Sequence, residues 1–451
     1  MIAKVIASVE SLFSQRPNLR KVLFNSGWLI ADKLLRLALG LFITALVARH
    51  LGPTQYGKLA YAIAFIAIFQ SIASLGLDSI VVRDISQDER NAHLFLGTAL
   101  RLRLISSTAS FLISGLAAYA LFPEDAETAL LVGLLGLGMV FQASDVIDLW
   151  FQSQSQSRRT VAAKACSYLV SSVVKILLVH ANAPLWTFAA IVGTETALSA
   201  AALAYAYRKY PHPQGWVWAA PVARRLLRYG LPLFLSGISI TIYMKSSQLI
   251  IRQLLDSASL GIYSTAQLIS ELWYFLPMTI ITSVAPTIAH KKIASEHDYN
   301  SALANIFAAM WLMSMAISAG IALCSGLIIQ ILFGSTYAGA APVLAIHIFT
   351  LIPVCIGVTQ SLWLVNENRM ALALYQAGVG AVSSIGLNFL LVSNFGVIGG
   401  ALATVLSQFI QAFLVNAFLA PKLFEMQIQS LLYAFTLVWK AVSKVWTRIT
   451  H

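Results

Sequence analysis

The chain has 451 residues, of which 58% are hydrophobic and only 11% are charged. Soluble domains carry a charge on about a quarter of their residues. The composition therefore excludes a disordered chain, a collagen-like repeat and a disulfide scaffold, and it argues against a soluble enzyme. The net charge of +12 does not in itself indicate a nucleic-acid partner, because Lys and Arg accumulate in the cytoplasmic loops of membrane proteins. We expect an all-α polytopic membrane protein.

The start of the chain predicts a helix that lies on the membrane surface. Apolar residues recur at helical spacing from Ile2 to Phe13, and a basic stretch follows. The apolar part is too short for a secretory signal peptide, and no cleavage-like site follows it. Residues 1–21 are therefore expected to form an amphipathic interfacial helix.

Twelve apolar segments follow. Each is long enough for a helix that crosses the bilayer, which takes about 20 residues, and turn-forming Gly, Pro and Asn residues lie between several of them. The segments lie at 22–48, 57–82, 94–121, 128–151, 161–181, 184–207, 226–251, 258–288, 302–331, 340–364, 370–393 and 397–420.

A long interior connection, residues 209–223, divides these segments into two sets of six. The first set forms a predicted N-lobe at 22–208, and the second forms a predicted C-lobe at 224–422. Residues 49–57, after the first span, resemble residues 252–261, after the seventh. This internal similarity predicts two pseudo-symmetric six-helix lobes around a central cavity.

The end of the chain repeats the pattern of its start. Residues 423–451 combine an apolar helical face with basic residues, which predicts an amphipathic cytoplasmic tail. A thirteenth span is the alternative, although Lys440 falls early for one.

The distribution of basic residues predicts the orientation. If the N-terminus is cytoplasmic, twelve Lys and Arg residues fall in interior connections and three in exterior ones. Cytoplasmic loops of membrane proteins carry the excess of Lys and Arg. Both termini are therefore expected in the cytoplasm.

Several predicted spans carry polar side chains, which are costly in a bilayer and usually face protein or water. The basic ones are candidates for binding an anionic substrate: Lys33, Arg36, Lys175, Lys245 and Arg252. The acidic ones are candidates for exchanging H⁺ or Na⁺: Asp78, Glu195 and Glu271. The uncharged ones are candidates for lining a cavity: Asn25, Gln142, Gln248, Gln267, Tyr274 and Gln408.

Local explanations compete with a functional role near some of these positions. Asp32 and Arg36 are four residues apart, so they can neutralise each other on one helix. We expect Lys164 to extend to the interface. Asp145 and Asp148 are expected to be solvated near the cytoplasmic end of their span.

Other positions are harder to explain locally. Lys175 and Lys245 have no acidic residue three or four positions away, so each either reaches the interface or lines a cavity. His347 is expected to be a core histidine whose hydrogen bonds are satisfied. Together the polar residues predict a water-filled cavity with a positive lining, which would suit an anionic, hydroxylated cargo.

No cofactor site is evident. The three cysteines, Cys166, Cys324 and Cys355, lie in apolar runs and do not suggest a metal site. There is no Gly-rich phosphate-binding loop followed by Lys and Ser or Thr. ATP is therefore not an expected energy source, and a coupling ion, H⁺ or Na⁺, is the alternative.

Residues 47–57, with the sequence VARHLGPTQYG, resemble a hallmark segment of the Wzx-type polysaccharide flippases. These form part of the polysaccharide-transport branch of the MOP (MATE-like) exporter superfamily. Three later segments are similar to that family in the same order: YGLPL at 229–233, residues 332–340, and NFGVIGGA at 394–401. The resemblance extends over roughly 20–420.

The resemblance implies two six-helix lobes that work by alternating access. It implies a cargo of undecaprenyl-diphosphate-linked oligosaccharide, moved from the cytoplasmic to the periplasmic leaflet of a bacterial inner membrane. The product would be O-antigen or another surface polysaccharide, and an ion gradient drives some members. Expected partners are the lipid-linked oligosaccharide, membrane lipids and other polysaccharide-assembly proteins, with no nucleic acid and no enzymatic activity.

Four alternatives remain. A MATE-type drug or cation antiporter also has twelve spans, but a positive cavity would repel cationic drugs. A lipid II flippase usually has fourteen spans. A membrane polysaccharide polymerase or glycosyltransferase generally needs a larger loop than any exterior one here. A scaffold that transports nothing would not need charges within the spans of both lobes.

Overall fold

A computed structural model describes the backbone of residues 17–213 and 215–449 and the side chains of residues 36–213 and 215–436. Within those ranges the regular structure is helical, and no strand occurs. The hydrocarbon of a bilayer cannot hydrogen-bond to backbone N–H and C=O groups, and an α-helix pairs these groups with each other. The predicted all-α class is confirmed. The side chains of Asn25, Asp32 and Lys33, and most of the predicted interfacial helix at 1–21, lie outside the described residues.

The helices are numbered in chain order. They are α1 (Pro17–Ser74), α2 (Asp78–Gln87), α3 (Ala92–Leu121), α4 (Ala126–Gln142), α5 (Val146–Ser153), α6 (Ser157–His180), α7 (Leu185–Lys209), α8 (Ala220–Leu254), α9 (Ser257–Leu272), α10 (Phe275–Ala294), α11 (Glu296–Leu323), α12 (Ser325–Phe333), α13 (Ala340–His347), α14 (Leu351–Asn366), α15 (Met370–Phe409), α16 (Asn416–Leu419) and α17 (Pro421–Ile449). Short 3₁₀ turns lie at Glu89–Asn91, Ala143–Asp145, Ser335–Tyr337 and Ile348–Thr350, and a π-turn lies at Ile410–Leu414.

Ten helical stretches in the described chain are long and apolar enough to cross a membrane. Two of them, Arg36–Gln87 and Met370–Leu419, have 52 and 50 residues and bend at Gly52 and Gly396, which leave the helical conformation with φ of 71° and 59°. Glycine adopts such angles without a steric penalty. Since one crossing takes about 20 residues, each of these two stretches can hold two. The protein is a multi-pass membrane protein, and the count of twelve spans stays a prediction.

Packing divides the chain into two compact units. Unit 1 comprises the described residues up to Val47 together with Phe69–Phe234. Unit 2 comprises Ala48–Ile68 and the described residues from Leu235 onward. The boundaries between the units therefore lie within α1 and α8. The predicted boundary between the lobes lies in the connection at 209–223.

The core of unit 1 is built around the short helix α2. Its apolar face, with Val81 and Ile85, is fully buried among residues of α3, α5 and α7. Asp84 on the same helix is 1% exposed. Its carboxylate is 2.8 Å from the guanidinium of Arg83 and 3.0 Å from that of Arg225. Two guanidinium groups therefore neutralise a charge that burial would otherwise make costly.

Unit 2 is held together by two helices that meet backbone to backbone. The helical segment beginning at Pro53 packs on α9 so closely that a Cβ on Gly57 would lie 1.7 Å from the carbonyl oxygen of Ser257. A Cβ on Gly261 would lie 2.1 Å from the carbonyl oxygen of Pro53. Only glycine fits at both positions. The two chain segments that resemble each other in sequence thus contact each other directly.

The same segment of α1 is fastened by side-chain hydrogen bonds within unit 2. The Arg49 guanidinium donates to the carbonyl oxygens of Leu332, at 2.9 Å, and Ile331, which lack intrahelical partners near the end of α12. The Tyr337 hydroxyl donates to the carbonyl oxygen of Ala48 at 2.7 Å. Burial raises the pKa of Tyr337 well above its ordinary value, so this hydroxyl stays protonated and remains a donor.

The C-terminal helix α17 is anchored by a cluster of four buried amides. Asn416 donates to Gln360 at 2.8 Å and accepts from Gln376 at 2.7 Å, and Gln427 of α17 donates to Gln360 at 3.3 Å. All four side chains are at most 2% exposed. Amides buried in an apolar bundle need partners, so this cluster fixes α17 to α14, α15 and α16.

Replacing Gly57 with Ala should destabilise the protein, because the new Cβ would force two backbones apart. Overpacking of this kind costs about 1–3 kcal/mol. The matched control is Gly386→Ala, also helical and in unit 2, where a Cβ meets nothing within 4 Å and alanine should be neutral or slightly stabilising. The measurement is thermal unfolding in detergent. A melting temperature that is equal for both variants would contradict the close backbone contact.

Candidate functional site

Unit 1 contains a polar cavity of about 300 Å³ within its predicted spans. Six helices and one 3₁₀ turn contribute its walls, and most of the lining side chains are polar. They are Gln70 and Ser74 of α1, Asp78 of α2, Arg103 and Ser107 of α3, Gln142 of α4, Asp145 of the 3₁₀ turn, Asp148 and Gln152 of α5, and Lys164 of α6. A polar cavity of this size in a membrane segment can hold water or a hydrophilic ligand.

A second cavity of about 200 Å³ shares four lining residues with the first. The shared residues are Gln70, Gln142, Asp145 and Lys164, and the second cavity adds Arg36, Phe141, Ser144, Ser167, Glu195, Thr196 and Ser199. The two cavities therefore form one continuous polar region inside unit 1, which we call the unit 1 cavity.

Ion pairs connect the helices that line the first part of the unit 1 cavity. Arg103 donates to the carboxylate of Asp78. The Lys164 ammonium lies 2.8 Å from a carboxylate oxygen of Asp145 and 2.8 Å from one of Asp148. Each basic side chain thus meets at least one carboxylate from a neighbouring element.

The second part has a third ion pair. The Glu195 carboxylate on α7 accepts from Lys175 at 3.1 Å and from the Ser171 hydroxyl at 2.6 Å, both on α6. The Arg36 guanidinium lies 5.0 Å from the ring centre of Tyr168, whose hydroxyl donates to the Arg36 carbonyl oxygen at 3.1 Å. Arg36 is therefore held by a cation–π contact on the wall of the same cavity.

The wall of the unit 1 cavity is not positively charged. Among the side chains that the structure describes there, three are basic and four are acidic: Arg36, Arg103 and Lys164 against Asp78, Asp145, Asp148 and Glu195. Lys175, which pairs with Glu195, adds a fourth basic group, so the described charges of the region sum to zero. The expectation of a positive lining is not met in this cavity.

Three predictions about this region need correction. Lys175 is not an unpaired cation, because Glu195 reaches it from the next helix rather than from its own. Lys164 bridges Asp145 and Asp148 rather than extending alone to the interface. In turn, Asp145 and Asp148 are bound to a base and are not merely solvated.

Arg103 is a cavity residue that the sequence analysis missed. It lies well inside the apolar segment 94–121, so the rule applied to Lys175 would also have selected it. Gln70 was also missed, because it is uncharged and the search began from charged residues. Asp78, Gln142, Glu195 and Arg36 were selected and are brought together here; their roles stay predictions.

Unit 2 collects its polar residues where α8, α9 and α15 meet. Thr404 of α15 lies 2.7 Å from the Ser247 hydroxyl of α8 and 2.9 Å from the Tyr263 hydroxyl of α9. Gln248 donates to Ser264 at 3.3 Å. These buried contacts form a hydrogen-bonded layer across the three helices.

Glu271 lies beside this layer. It accepts from Gln267 at 2.5 Å, and the nearby Tyr274 hydroxyl donates to Thr350 at 2.7 Å. Four buried amide oxygens receive no hydrogen bond from the described part of the chain: those of Gln248, Gln267, Asn388 and Gln408. Of these, Gln267 is the one that contacts Glu271, and its unpaired oxygen together with the Glu271 carboxylate favours water or a cation as a further partner.

Lys245 lies on α8, one turn before Gln248. No described side chain forms an ion pair or hydrogen bond with it, in contrast to Lys164 and Lys175 of unit 1. His347 is 1% exposed and packs edge-on against the Tyr263 ring, so it lies in the core as expected. It is not the satisfied histidine that was expected, because neither ring nitrogen has a hydrogen-bond partner among the described residues. Arg252 follows two turns after Lys245 and is half-buried.

No group of three or more His, Cys, Asp or Glu side chains with the spacing of a metal site occurs among the described residues. Cys166 and Cys324 are exposed and Cys355 is buried, and none of the three is in a disulfide.

A family model described as "Polysaccharide biosynthesis protein" matches residues 46–342, about two thirds of the chain. The chain belongs to this family. The match begins one residue before the VARHLGPTQYG segment and includes the lining residues of the unit 1 cavity from Gln70 onward. The membership predicted from that segment is confirmed.

Two relatives show how far the similarity extends. The chain is 27% identical over 190 residues to the probable low-salt glycan biosynthesis flippase Agl15 of Haloferax volcanii, which covers 41% of this chain and 39% of Agl15. It is 22% identical over 331 residues to the succinoglycan biosynthesis transport protein ExoT of Rhizobium meliloti, which covers 73% of this chain and 66% of ExoT. The chain thus matches less than two thirds of the length of each.

Two solved structures share the fold. The lipid II flippase MurJ, in an inward closed conformation, matches with a TM-score of 0.70 at 16% identity and covers 93% of each chain. An inward-facing multidrug resistance MATE family transporter of the MOP superfamily matches with a TM-score of 0.70 at 15% identity, covering 91% of this chain and 95% of the transporter. The protein has the fold of the MurJ and MATE transporters.

Breaking the Lys175–Glu195 pair should destabilise unit 1. In Lys175→Met or Glu195→Leu, one charge remains without its partner in a partly buried site, which costs about 1–3 kcal/mol or more. The double variant removes both charges and should recover part of the loss. A double-mutant cycle of melting temperatures measures this coupling.

The control cycle uses Lys292 and Glu296, an i,i+4 pair at 3.1 Å whose Glu296 side chain is 69% exposed, while Lys292 is 23% exposed and also contacts Glu367 at 2.7 Å. Because Lys292 keeps Glu367 when Glu296 is replaced, we expect the coupling of this i,i+4 pair to be only about 0.3–0.5 kcal/mol. Additive effects at 175 and 195, no larger than those of the control, would show that the buried pair makes no net contribution.

Proposed function

We propose that this protein is a flippase for undecaprenyl-diphosphate-linked oligosaccharides in polysaccharide biosynthesis. It moves the cargo from the cytoplasmic to the periplasmic leaflet of a bacterial inner membrane by alternating access, with both termini in the cytoplasm. It makes and breaks no covalent bond. Family membership and the transporter fold support the general role, and the names of Agl15 and ExoT support a glycan-related cargo.

One observation carries this proposal: ionised and amide side chains line a cavity within the predicted spans of unit 1. Charged groups are rare within a bilayer unless they line a polar pathway or neutralise each other. A flippase needs such a region, since the sugar and phosphate groups of its cargo must cross the hydrocarbon layer without leaving polar surroundings.

The diphosphate needs a cation that is not already neutralised. Lys245 of unit 2 meets this need best, because the described residues offer it no carboxylate. Arg252 lies on the same helix, two turns on, and can attract the headgroup as it arrives. Lys33 and Arg36 remain candidates at the start of the chain, whereas Lys175 would have to leave Glu195 before it could bind a phosphate.

Coupling to an H⁺ or Na⁺ gradient belongs to the same proposal. Glu271 is the candidate in unit 2, because it accepts from the Gln267 amide, whose own oxygen has no donor in the described chain. Oxygen ligands of this kind suit a hard cation, and the carboxylate can alternatively take a proton. Asp78 and Glu195 are the candidates in unit 1, where each already binds a basic partner.

Export of organic cations, as in a MATE-type antiporter, is the second candidate. It is favoured by the four carboxylates on the wall of the unit 1 cavity, since these would attract a cationic drug. It does not account for membership in a polysaccharide biosynthesis family. Drug-driven fluorescence changes in the proteoliposomes described below would separate the two candidates.

The test is a flipping assay. The purified chain is reconstituted into proteoliposomes with a fluorescent undecaprenyl-diphosphate-linked oligosaccharide, and transfer between leaflets is followed by quenching of accessible label, with and without imposed H⁺ or Na⁺ gradients. We expect flipping well above that of protein-free vesicles. Absence of flipping under all gradients, together with drug transport, would overturn the proposal.

Lys245→Gln should lower the initial flipping rate about tenfold or more. It removes a hydrogen bond between charged groups, which contributes about 1.5–3 kcal/mol. The matched control, Lys291→Gln, removes an exposed lysine near the end of α10 and should leave the rate within about twofold. Equal rates for wild type and Lys245→Gln, at equal protein incorporation, would exclude Lys245 from the diphosphate site.

A further inference from the structure

The unit 1 cavity does not have the electrostatics of a diphosphate site. Its described wall carries one more carboxylate than basic groups, and the Arg103 and Lys164 side chains already contact carboxylates. A diphosphate that entered would lose its hydration and approach four carboxylates, against which the described wall sets three basic groups, two of them already in ion pairs. An anionic headgroup is therefore disfavoured in this part of the molecule.

The same wall offers what an uncharged sugar requires. A hydroxyl group both donates and accepts, and the wall presents acceptors and donors side by side. Bonds in which one partner is ionised are the stronger ones, so carboxylates and guanidinium groups bind hydroxyls well without needing a charge on the ligand. Phe141, 39% exposed and on the wall of the second part, offers an aromatic face for the apolar side of a sugar ring.

An unpartnered donor supports a ligand in this position. Arg103 is 5% exposed, and although its terminal nitrogen binds Asp78, its buried Nε has no acceptor in the described chain. A buried donor without a partner costs about 1–3 kcal/mol. A sugar hydroxyl can accept from it. The larger part, of about 300 Å³, reaches the lower end of the range of small-molecule sites.

We propose that the unit 1 cavity is a carbohydrate subsite, which binds uncharged sugar residues of the cargo and not its diphosphate. This inference rests on the proposed function. Gln70 and Gln142 contribute to both parts of the cavity wall and are uncharged. Their substitution therefore tests sugar binding without changing the electrostatics of phosphate binding.

The experiment compares two ligands on the full chain in lipid nanodiscs. One is undecaprenyl diphosphate, and the other is the lipid-linked repeat unit extracted from cells that express this chain. The ratio of their Kd values measures what the sugars contribute. The ratio meant here is the Kd of undecaprenyl diphosphate divided by the Kd of the repeat unit. Gln70→Leu and Gln142→Leu should each reduce this ratio about 2- to 10-fold, because each removes one hydrogen bond to the sugars. Both should leave the Kd of undecaprenyl diphosphate unchanged. Lys245→Gln should weaken both ligands by the same factor.

The matched control is Gln253→Leu, which changes an exposed glutamine of α8 and should alter neither Kd. Melting temperatures verify that each variant is folded, and Gln142→Asn, which keeps the amide, should recover part of the ratio. The inference is overturned if Gln70→Leu and Gln142→Leu weaken both ligands equally, or if their double variant changes neither. Failure of wild-type flipping would refute the proposed function, whereas the ratio of Kd values would still test the sugar subsite.

Discussion

A charge inside a membrane must be neutralised or hydrated, and unit 1 meets this constraint with ion pairs that join different helices. Arg103 of α3 meets Asp78 of α2, and Lys175 of α6 meets Glu195 of α7. Removing one member of such a pair leaves an uncompensated charge, so each pair holds its helices together as well as lining the cavity. The same side chains are therefore structural and available to a ligand, which explains how a hydrophilic region persists in an otherwise apolar bundle.

The segment that identifies the family has a different role. Arg49 donates to backbone carbonyl oxygens at the end of α12, and Gly57 allows α1 to meet α9 at the backbone. The contacts seen here are with main-chain atoms, so they require particular residues whatever the cargo is. A segment of this kind is therefore fixed by the packing of the fold.

Much of the fold follows from composition and periodicity alone. Apolar segments of spanning length predict helices because hydrocarbon leaves the backbone no other partner. The turn signals Leu51-Gly52-Pro53 and Asn394-Phe395-Gly396 coincide with the two glycines that break the longest helices. These features are local, and each depends on residues that are adjacent in the chain.

The site could be predicted only in part, because it depends on which helices are neighbours. Lys175 has no acidic residue within one turn, and its partner Glu195 lies 20 positions away on the next helix. A search confined to one helix therefore finds Lys175 and misses the Glu195 carboxylate that neutralises it. The expected positive lining was argued in part from such residues, since lysines and arginines were counted without the carboxylates that face them.

Charge balance in unit 1 also bears on the driving force of the proposed transport. A group with one net charge gains or loses about 2.3 kcal/mol for each 100 mV of membrane potential that it crosses. A region whose described charges sum to zero once Lys175 is included can change its exposure between the two sides at little such cost. In the proposed transport, a potential that is negative inside would then act on the diphosphate of the cargo and favour its export. A sugar subsite without net charge leaves this driving force intact, whereas a wall of unpaired cations that moved with the cargo would cancel it.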